Sequence, residues 1–350
     1  LTRLTLALDM MGGDFGPRVT CPAALQALES DPTLSLLLFG DSQQITPFFD
    51  HCSAELKQRI TLYHCDRVVK NDQGLSMALR RSKGSSMRLA IEAVRDGKAM
   101  ACVSAGDTAV LMGLAKVILQ PLPGIIRPAL ISVIPTIEGK QSVMLDLGAN
   151  IDCSAQVLTQ FAQMGAIYAE NQLQLVYPRV ALLNIGIEEL KGLKNIREAA
   201  ALIHQTTQLN YVGYIEGNLL LNGVADVIVA DGFAGNIALK TLEGSAKNIL
   251  SLFKSGNHSP SVIKKGLKKL GKWALSRYLP QFKQFNPDLY NGASLLGLTA
   301  VVVKSHGSAN QRAFLHAIEQ AKWQVRSNIV QQIQQGLELS CATPAREEQA

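Results

Sequence analysis

The 350-residue chain is poor in the residues that build metal and redox centres. Its six cysteines, Cys21, Cys52, Cys65, Cys102, Cys153 and Cys341, never fall into a C-x-x-C pair. They are too dilute for a disulfide framework, and the expectation is buried or incidental thiols in a reducing cytosol. The six histidines form no H-x-x-H or H-E-x-x-H pattern, so a zinc site has no support. Aromatic residues make up 5% and do not interleave with the basic ones, which argues against a nucleic-acid partner. No run approaches the ~20 apolar residues a membrane span needs. Asp9 interrupts the N-terminal apolar stretch before a signal-peptide core could form, and a cytoplasmic protein is expected.

What is present reads as an α/β fold. Apolar runs at Leu4–Leu8, Leu34–Phe39, Ile60–His64, Ala101–Ser104, Ala129–Ile134, Val143–Leu147, Val180–Ile185, Tyr211–Ile215 and Val227–Ala230 have the length and composition of strands. Helical patterns lie between them, among them Thr20–Glu29, Ser85–Arg95, Thr108–Leu119, Ser154–Glu170, Ile196–His204 and Ile237–Phe253. Runs that are continuously apolar rather than alternating belong to strands covered on both faces, so the sheet should be largely parallel.

Five runs end in turns rich in Asp, Asn and Gly. These are Asp9-Met-Met-Gly-Gly-Asp14, Ser104-Ala-Gly-Asp-Thr108, Asp146-Leu-Gly-Ala-Asn150, Asn184-Ile-Gly186 and Asp231-Gly-Phe-Ala-Gly-Asn236. The carboxyl edge of an open α/β sheet lines its ligand crevice, so turns on one edge would converge on a single site. Gly12, Gly13 and Gly106 each stand between a strand and a helix, where backbone amides can approach an anion. Neither G-x-G-x-x-G nor the Walker pattern occurs, which removes dinucleotide and ATP sites. Asp14 and Asp107 would repel an anion there unless a cation balanced them. Lys240 is either that counter-charge or a solvated surface lysine.

Several blocks resemble the bacterial phosphate acyltransferases, the acyl-carrier-protein:phosphate transacylases of phospholipid synthesis. They are Leu8-Asp-Met-Met-Gly-Gly-Asp-Phe-Gly-Pro17, Lys83-Gly-Ser-Ser-Met-Arg88, Ser104-Ala-Gly-Asp-Thr108 and Leu145-Asp-Leu-Gly-Ala-Asn150. The series continues with Asn184-Ile-Gly186, Lys191-Gly192, Gly213-Tyr-Ile-Glu216, Asp231-Gly-Phe-Ala-Gly-Asn-Ile-Ala-Leu-Lys240, Tyr290-Asn-Gly-Ala293 and Ser305-His-Gly-Ser-Ala-Asn-Gln-Arg312. The blocks run in order over nearly the whole chain. Asp107 and Ala109 depart from the family's usual SAGNTGA block, and Ile187 from its NIGEE block.

The resemblance implies a three-layer α/β/α fold like that of the isocitrate/isopropylmalate dehydrogenase and phosphotransacetylase group, in one catalytic unit over residues 1–337; the stretch 338–350 lies outside the resemblance and is expected to be a flexible tail. It implies a homodimer without cofactor that transfers a long-chain acyl group from acyl carrier protein to inorganic phosphate. A membrane-bound glycerol-3-phosphate acyltransferase then takes the acyl phosphate. A coenzyme A-dependent relative of the same fold is the alternative.

Phosphate is already an anionic nucleophile, so positioning and oxyanion stabilisation are the harder tasks. The anion-binding expectation covers Asp9, Gly12, Gly13, Asp14, Ser104, Gly106, Thr108, Asp146, Gly148, Asp231 and Gly232, with Lys240 as counter-charge. Asn150, Asn184 and Asn236 are the candidate carbonyl donors. His306 is either the acid for the departing thiolate or a histidine satisfied by core hydrogen bonds. No G-x-S-x-G elbow occurs, so transfer is expected without an acyl-enzyme intermediate.

The net charge of +6 has one source. Residues 254–283 hold eight of the 34 basic residues and no acidic one, leaving 26 basic against 28 acidic elsewhere, a net −2. Lys264, Lys265, Lys268, Lys269, Lys272 and Trp273 fall on a basic amphipathic helical pattern inserted at about 254–283. Its partner is an anionic membrane surface, which would make the protein peripheral to the inner face of the cell membrane, or an acidic carrier protein. Packing on the dimer partner or the core is the remaining reading.

Overall fold

The computed structural model describes residues 4–69, 72, 74–255 and 292–342. Most of the basic pattern, including Lys264, Lys265, Lys268, Lys269, Lys272 and Trp273, lies outside the described residues.

Eleven strands form one sheet: β1 (Leu4–Asp9), β2 (Leu34–Gly40), β3 (Ile60–His64), β4 (Ala101–Ser104), β5 (Ala129–Pro135), β6 (Gln141–Leu145), β7 (Arg179–Leu183), β8 (Asn210–Ile215), β9 (Val227–Val229), β10 (Ala293–Leu296) and β11 (Val301–Lys304). Their order is β3-β2-β1-β4-β11-β10-β5-β6-β9-β7-β8. The helices are α1 (Pro17–Ser30), α2 (Ser42–Ile45), α3 (Ala54–Lys57), α4 (Leu75–Arg81), α5 (Ser86–Arg95), α6 (Thr108–Leu119), α7 (Ala155–Gln172), α8 (Lys194–Gln205), α9 (Gly232–Ser255), α10 (Gln311–Arg326) and α11 (Ile329–Ala342).

The central strands are buried on both faces, which is why they read as unbroken apolar runs, while the edge strands β3 and β8 are partly exposed. Leu6, Leu8, Val143 and Val303 face a core shared with α1, α7, α8, α10 and α11. Ala7, Cys102, Met144 and Val302 face a second core shared with α4, α5, α6 and α9. The result is the expected three-layer α/β/α arrangement. The last helix runs past Leu337 to Ala342, into the stretch expected as a flexible tail.

One feature corrects the convergence expected of the turns. β3, β2, β1, β4 and β11 form one parallel block, and β6, β9, β7 and β8 form another. Three antiparallel pairings, β11–β10, β10–β5 and β5–β6, join them, so the two blocks run in opposite directions. The turns after β1, β4 and β11 therefore lie at one edge of the sheet. Those after β6, β7 and β9 lie at the other.

Helix α9 bridges the two edges. The Gly232 amide donates to the Asn150 carbonyl at 2.7 Å, and a Cβ at Gly235 would strike the Asp146 carbonyl, so the helix starts hard against the end of β6. Two turns on, Lys240 Nζ lies 3.4 Å from His306 Nε2, beyond the end of β11.

Candidate active site

A cleft of about 790 Å³ opens over the antiparallel seam, between α9 and the sheet. Its floor follows from strand register. Ser104 pairs with Lys304 and Lys304 with Ala293, while Asp9 and Ser132 occupy the same rank on β1 and β5. Register partners point to one face, so a polar rank crosses five strands under α6 and α9. Of this rank, Lys304, Ala293 and Ser132 line the cleft.

The cleft has two chemically distinct parts. Leu130, Val133, Ile134, Leu147, Leu239 and Leu242 line an apolar trough. Lys304, Ser305, His306, Lys240 and Thr108 line a polar, cationic end. Gly148 and Asn236 close against each other along the wall, Gly148 at φ 125°. Thr108 and Ala109 stand at the start of α6, so the positive end of that helix also faces the cleft.

Lys304 is only 8% exposed, and its ammonium donates to the Ser305 carbonyl. No described carboxylate pairs with it. Burial holds it at about 8; Asp107 counteracts this, Lys240 pushes further down, and Asp9 and Asp14 pull up.

His306 Nδ1 accepts the Ser308 amide at 3.2 Å, which in the neutral ring places the proton on Nε2, so that the neighbouring Lys240 ammonium donates to Glu243 and not to the ring. Ser308 Oγ lies 2.9 Å from the same nitrogen. Nε2 faces Lys240 at 3.4 Å and Glu243 Oε2 at 3.8 Å, and Glu243 holds the Lys240 ammonium at 2.8 Å. Burial, followed by the Lys240 charge, keeps the ring below its ordinary value against the pull of Glu243.

The turn after β1 is already occupied with its own hydrogen bonds. Asp9 accepts Ser104 Oγ at 2.6 Å and the Met11 amide at 3.2 Å, and the Gly106 amide is taken by Ser104 Oγ at 3.0 Å. Burial raises the Asp9 carboxyl, and hydrogen bonds led by Ser104 counter it. The Asp14 amide donates to the Gly307 carbonyl at 2.8 Å. A Cβ on Gly12 would lie 2.7 Å from both Asp9 Oδ2 and the Gly106 amide, so only glycine lets the two turns close on each other. Asp9, Gly12, Gly13, Asp14, Ser104 and Gly106 thus knit the turns together just beside the cleft. Thr108 alone of that group lines it. Asp107, the departure from the family pattern, caps α6 by accepting the Val110 amide at 2.9 Å.

At the opposite edge, Asp146 is fully buried and accepts four donors: the Leu130, Ala149 and Asn150 amides and Asn150 Nδ2. Burial raises its carboxyl, and these bonds offset part of the effect. Asn150 Nδ2 also donates to the Pro128 carbonyl, and Asp231 caps α9 through the Ala234 amide. Gly232 packs on the Asn150 backbone. Asn184 spends its Nδ2 on the Gly186 and Lys191 carbonyls, holding its own loop. Of this second group, Gly148 and Asn236 reach the cleft wall.

The sequence reading missed Lys304, Glu243, Ser308 and Ser132. Lys304 carried a signal: a charge ending the all-valine strand Val301-Val302-Val303, directly before Ser305-His306.

A family model described as fatty acid synthesis protein matches residues 4–332. The phosphate acyltransferase of Mannheimia succiniciproducens is 62% identical over 344 residues, spanning 97% of this chain and all of that protein. The chain belongs to the phosphate acyltransferase family. It is an acyltransferase. The family's member from Actinobacillus pleuropneumoniae is 53% identical over 337 residues, covering 96% of this chain and 98% of its own. Among solved structures, a phosphotransacetylase from Streptococcus pyogenes superposes with a TM-score of 0.60 at 17% identity over 94% of each chain. The EutD phosphotransacetylase of Staphylococcus aureus gives 0.56 at 16% identity, covering 93% of this chain and 94% of that one. These two likenesses establish the shared fold, which the phosphate acyltransferase family builds here around the seam cleft.

Proposed function

We propose that the enzyme transfers a long-chain fatty acyl group from the thioester of acyl carrier protein to inorganic phosphate, supplying acyl phosphate for phospholipid synthesis. The observation that carries this reading is the continuity of the apolar trough with the cationic end. One cleft offers a hydrocarbon chain a dry wall and an anion its counter-charges at the point where the chain's carbonyl would lie. Pockets of this size typically bury most of a ligand's surface.

The reaction balances without an acid from the protein. An oxygen of hydrogenphosphate attacks the thioester carbon, the new C–O bond forms and the C–S bond breaks. The proton carried by hydrogenphosphate ends on the sulfur. Asn236 and the Nε2–H of neutral His306 donate to the carbonyl oxygen as it gains charge; such a donor is worth ~2.7–4 kcal/mol. This replaces the thiolate-protonating role expected of His306, because an imidazole accepting the Ser308 amide and held below its ordinary value is a donor rather than a ready acid. Lys240 is the counter-charge at the cleft mouth, and Asn150 and Asn184 keep their loops in place. Burial pushes the Cys21, Cys65 and Cys153 thiols up to about 12, which favours direct transfer over a cysteine acyl-enzyme.

The deciding assay offers palmitoyl carrier protein and labelled phosphate, with palmitoyl-coenzyme A in parallel. Phosphate-dependent acyl phosphate from the carrier thioester is the expected product. Turnover of the coenzyme A ester alone would assign the donor to the alternative, and no acyl phosphate from either would overturn the reading.

Ile151, Ile185, Ile187, Leu190, Leu193, Phe233 and Ile237 stand exposed on the loops and helix start at the β6–β9–β7 edge, Leu190 at 84%. We place the homodimer contact there, consistent with the general meaning of such patches. Among the described residues no helix is long and apolar enough to cross a membrane. Attachment to the inner face of the cell membrane, beside the membrane-bound glycerol-3-phosphate acyltransferase that takes the product, is assigned to the basic stretch 254–283. Flotation with anionic but not neutral vesicles is the expected behaviour.

A further inference from the structure

We propose that Lys304 is the residue that binds the transferable phosphate, its ammonium meeting the dianion at the sheet floor of the cleft. This rests on the reading of the enzyme as a transferase to phosphate, and it moves the principal cation from the mouth to the floor.

Three independent observations converge on it. First, Lys304 is a cation on the cleft floor, 8% exposed, whose described partner is a neutral carbonyl. No described carboxylate touches it, and Asp107, Asp9 and Asp14 offset only part of the cost of its burial, so the site favours an incoming anion. Second, two of the three carboxylates that act on Lys304 are committed elsewhere. Asp9 is held by Ser104 and the Met11 amide, and Asp107 caps α6. Third, the positive end of α6, carrying Thr108, and the Lys240 ammonium also face this end of the cleft. Lys240 and Lys304 repel each other, and an oxyanion held between them turns that repulsion into two attractions.

The charged groups acting on Lys304 are Asp9 and Asp14 on β1 and its turn, Asp107 at α6 and Lys240 on α9. His306, just after β11, feels Lys304 in turn, together with Lys240, Glu243 and Lys247 of α9. Burial holds Lys304 at about 8. The lysine is therefore charged below about pH 8 and loses its proton above it, and a phosphate site built on it weakens as pH rises through that point. Phosphate ionises further over the lower part of the range, which would strengthen binding to a fixed cation, so the two causes have opposite signs.

The test is calorimetric titration of the full-length protein with inorganic phosphate, without acyl donor, across a pH series on both sides of 8. Wild type should bind progressively more weakly above that point, by about tenfold per pH unit. Lys304→Met, which keeps the aliphatic stem, should bind at least about tenfold more weakly on the acid side and show no weakening above it. Lys304→Arg, whose charge does not titrate, should bind without the alkaline loss. Binding by Lys304→Met equal to wild type would overturn the proposal, as would an alkaline loss that persists in Lys304→Arg. If Lys304→Met does not fold, as judged by thermal melting, the arginine variant decides alone. Failure of the carrier-thioester assay with Lys304-dependent phosphate binding intact would instead count against the donor assignment.

Discussion

Lys240 and His306 meet at the cleft mouth, where small changes in charge have separable effects. Removing the Lys240 ammonium leaves the floor intact but unbinds Glu243, which then faces the incoming anion. Lys240→Ala should raise the KM for phosphate by about tenfold or more while changing kcat little, in line with the loss of a charge-assisted contact. An unaltered phosphate dependence would remove Lys240 from the site. In the proposed role His306 works as a neutral ring, and its proton affinity lies below the ordinary 6.5. Its neutral form therefore persists to more acidic pH than a free imidazole would allow, and the acid limb of kcat/KM should fall below 6.5. Glu243→Gln removes the one carboxylate that pulls the ring upward, and should shift that limb further toward acid; a shift toward neutral would refute the assignment. These two residues were visible in the sequence because they sit in polar motifs. Lys304 was passed over although its place at the end of a valine run was a signal, and its register partners Ser104 and Ala293 show what that signal meant.

Helix α9 is the element on which the site depends most. Asn236, Leu239, Lys240, Leu242, Glu243 and Ala246 line the cleft at helical spacing, so one rod supplies both the polar mouth and one wall of the trough. Each methylene that stays in the trough is worth ~0.8 kcal/mol, about fourfold in kcat/KM. Ala246→Trp should fill the trough, cutting activity with long-chain donors severely while sparing short-chain ones; equal loss on both would show that the chain lies elsewhere. Most elements were legible. The strands at Ile60–His64 and Ala101–Ser104 and the helix at Thr108–Leu119 fall where the patterns place them, and the other expected strands differ by a residue or two. β10 and β11 were missed, since Ala293 to Val303 is nearly continuous apolar sequence without a hairpin turn signature. Those two strands carry the reversal of the sheet, so the direction of its second half, and the separation of the turns, were missed with them. The Asp/Asn/Gly turns look alike in sequence because capping a helix and contacting a ligand use the same residues.

At the scale of the whole molecule, the first and last segments are locked by one carboxylate. Asp31, after α1, accepts the Thr33 hydroxyl at 2.7 Å, Lys322 at 3.0 Å and Arg326 at 2.7 Å from α10. Burial alone would raise Asp31, but the Thr33 and Lys322 bonds outweigh it and hold the carboxyl below the ordinary 3.8. The contribution to stability is thus present above 3.8 and lost as pH falls through the lower, folded-state value. Asp31→Asn leaves Lys322 buried with only Glu319, and should cost about 3 kcal/mol in urea unfolding at neutral pH. The gap from wild type should close on acidification; an equal gap at neutral and strongly acidic pH would count against this account.

The placement of β11 also fixes when the enzyme can come into being. That strand lies between β4 and β10, so a chain emerging from the ribosome holds β3-β2-β1-β4 with one edge open until residues 301–304 have been made. Open edges recruit other strands, and the first half of the chain must be kept from doing so while nearly two hundred further residues are added. The floor of the cleft arrives with that final strand. No nascent or truncated form lacking it carries an assembled cleft floor, and completion of that floor and of the sheet are the same event.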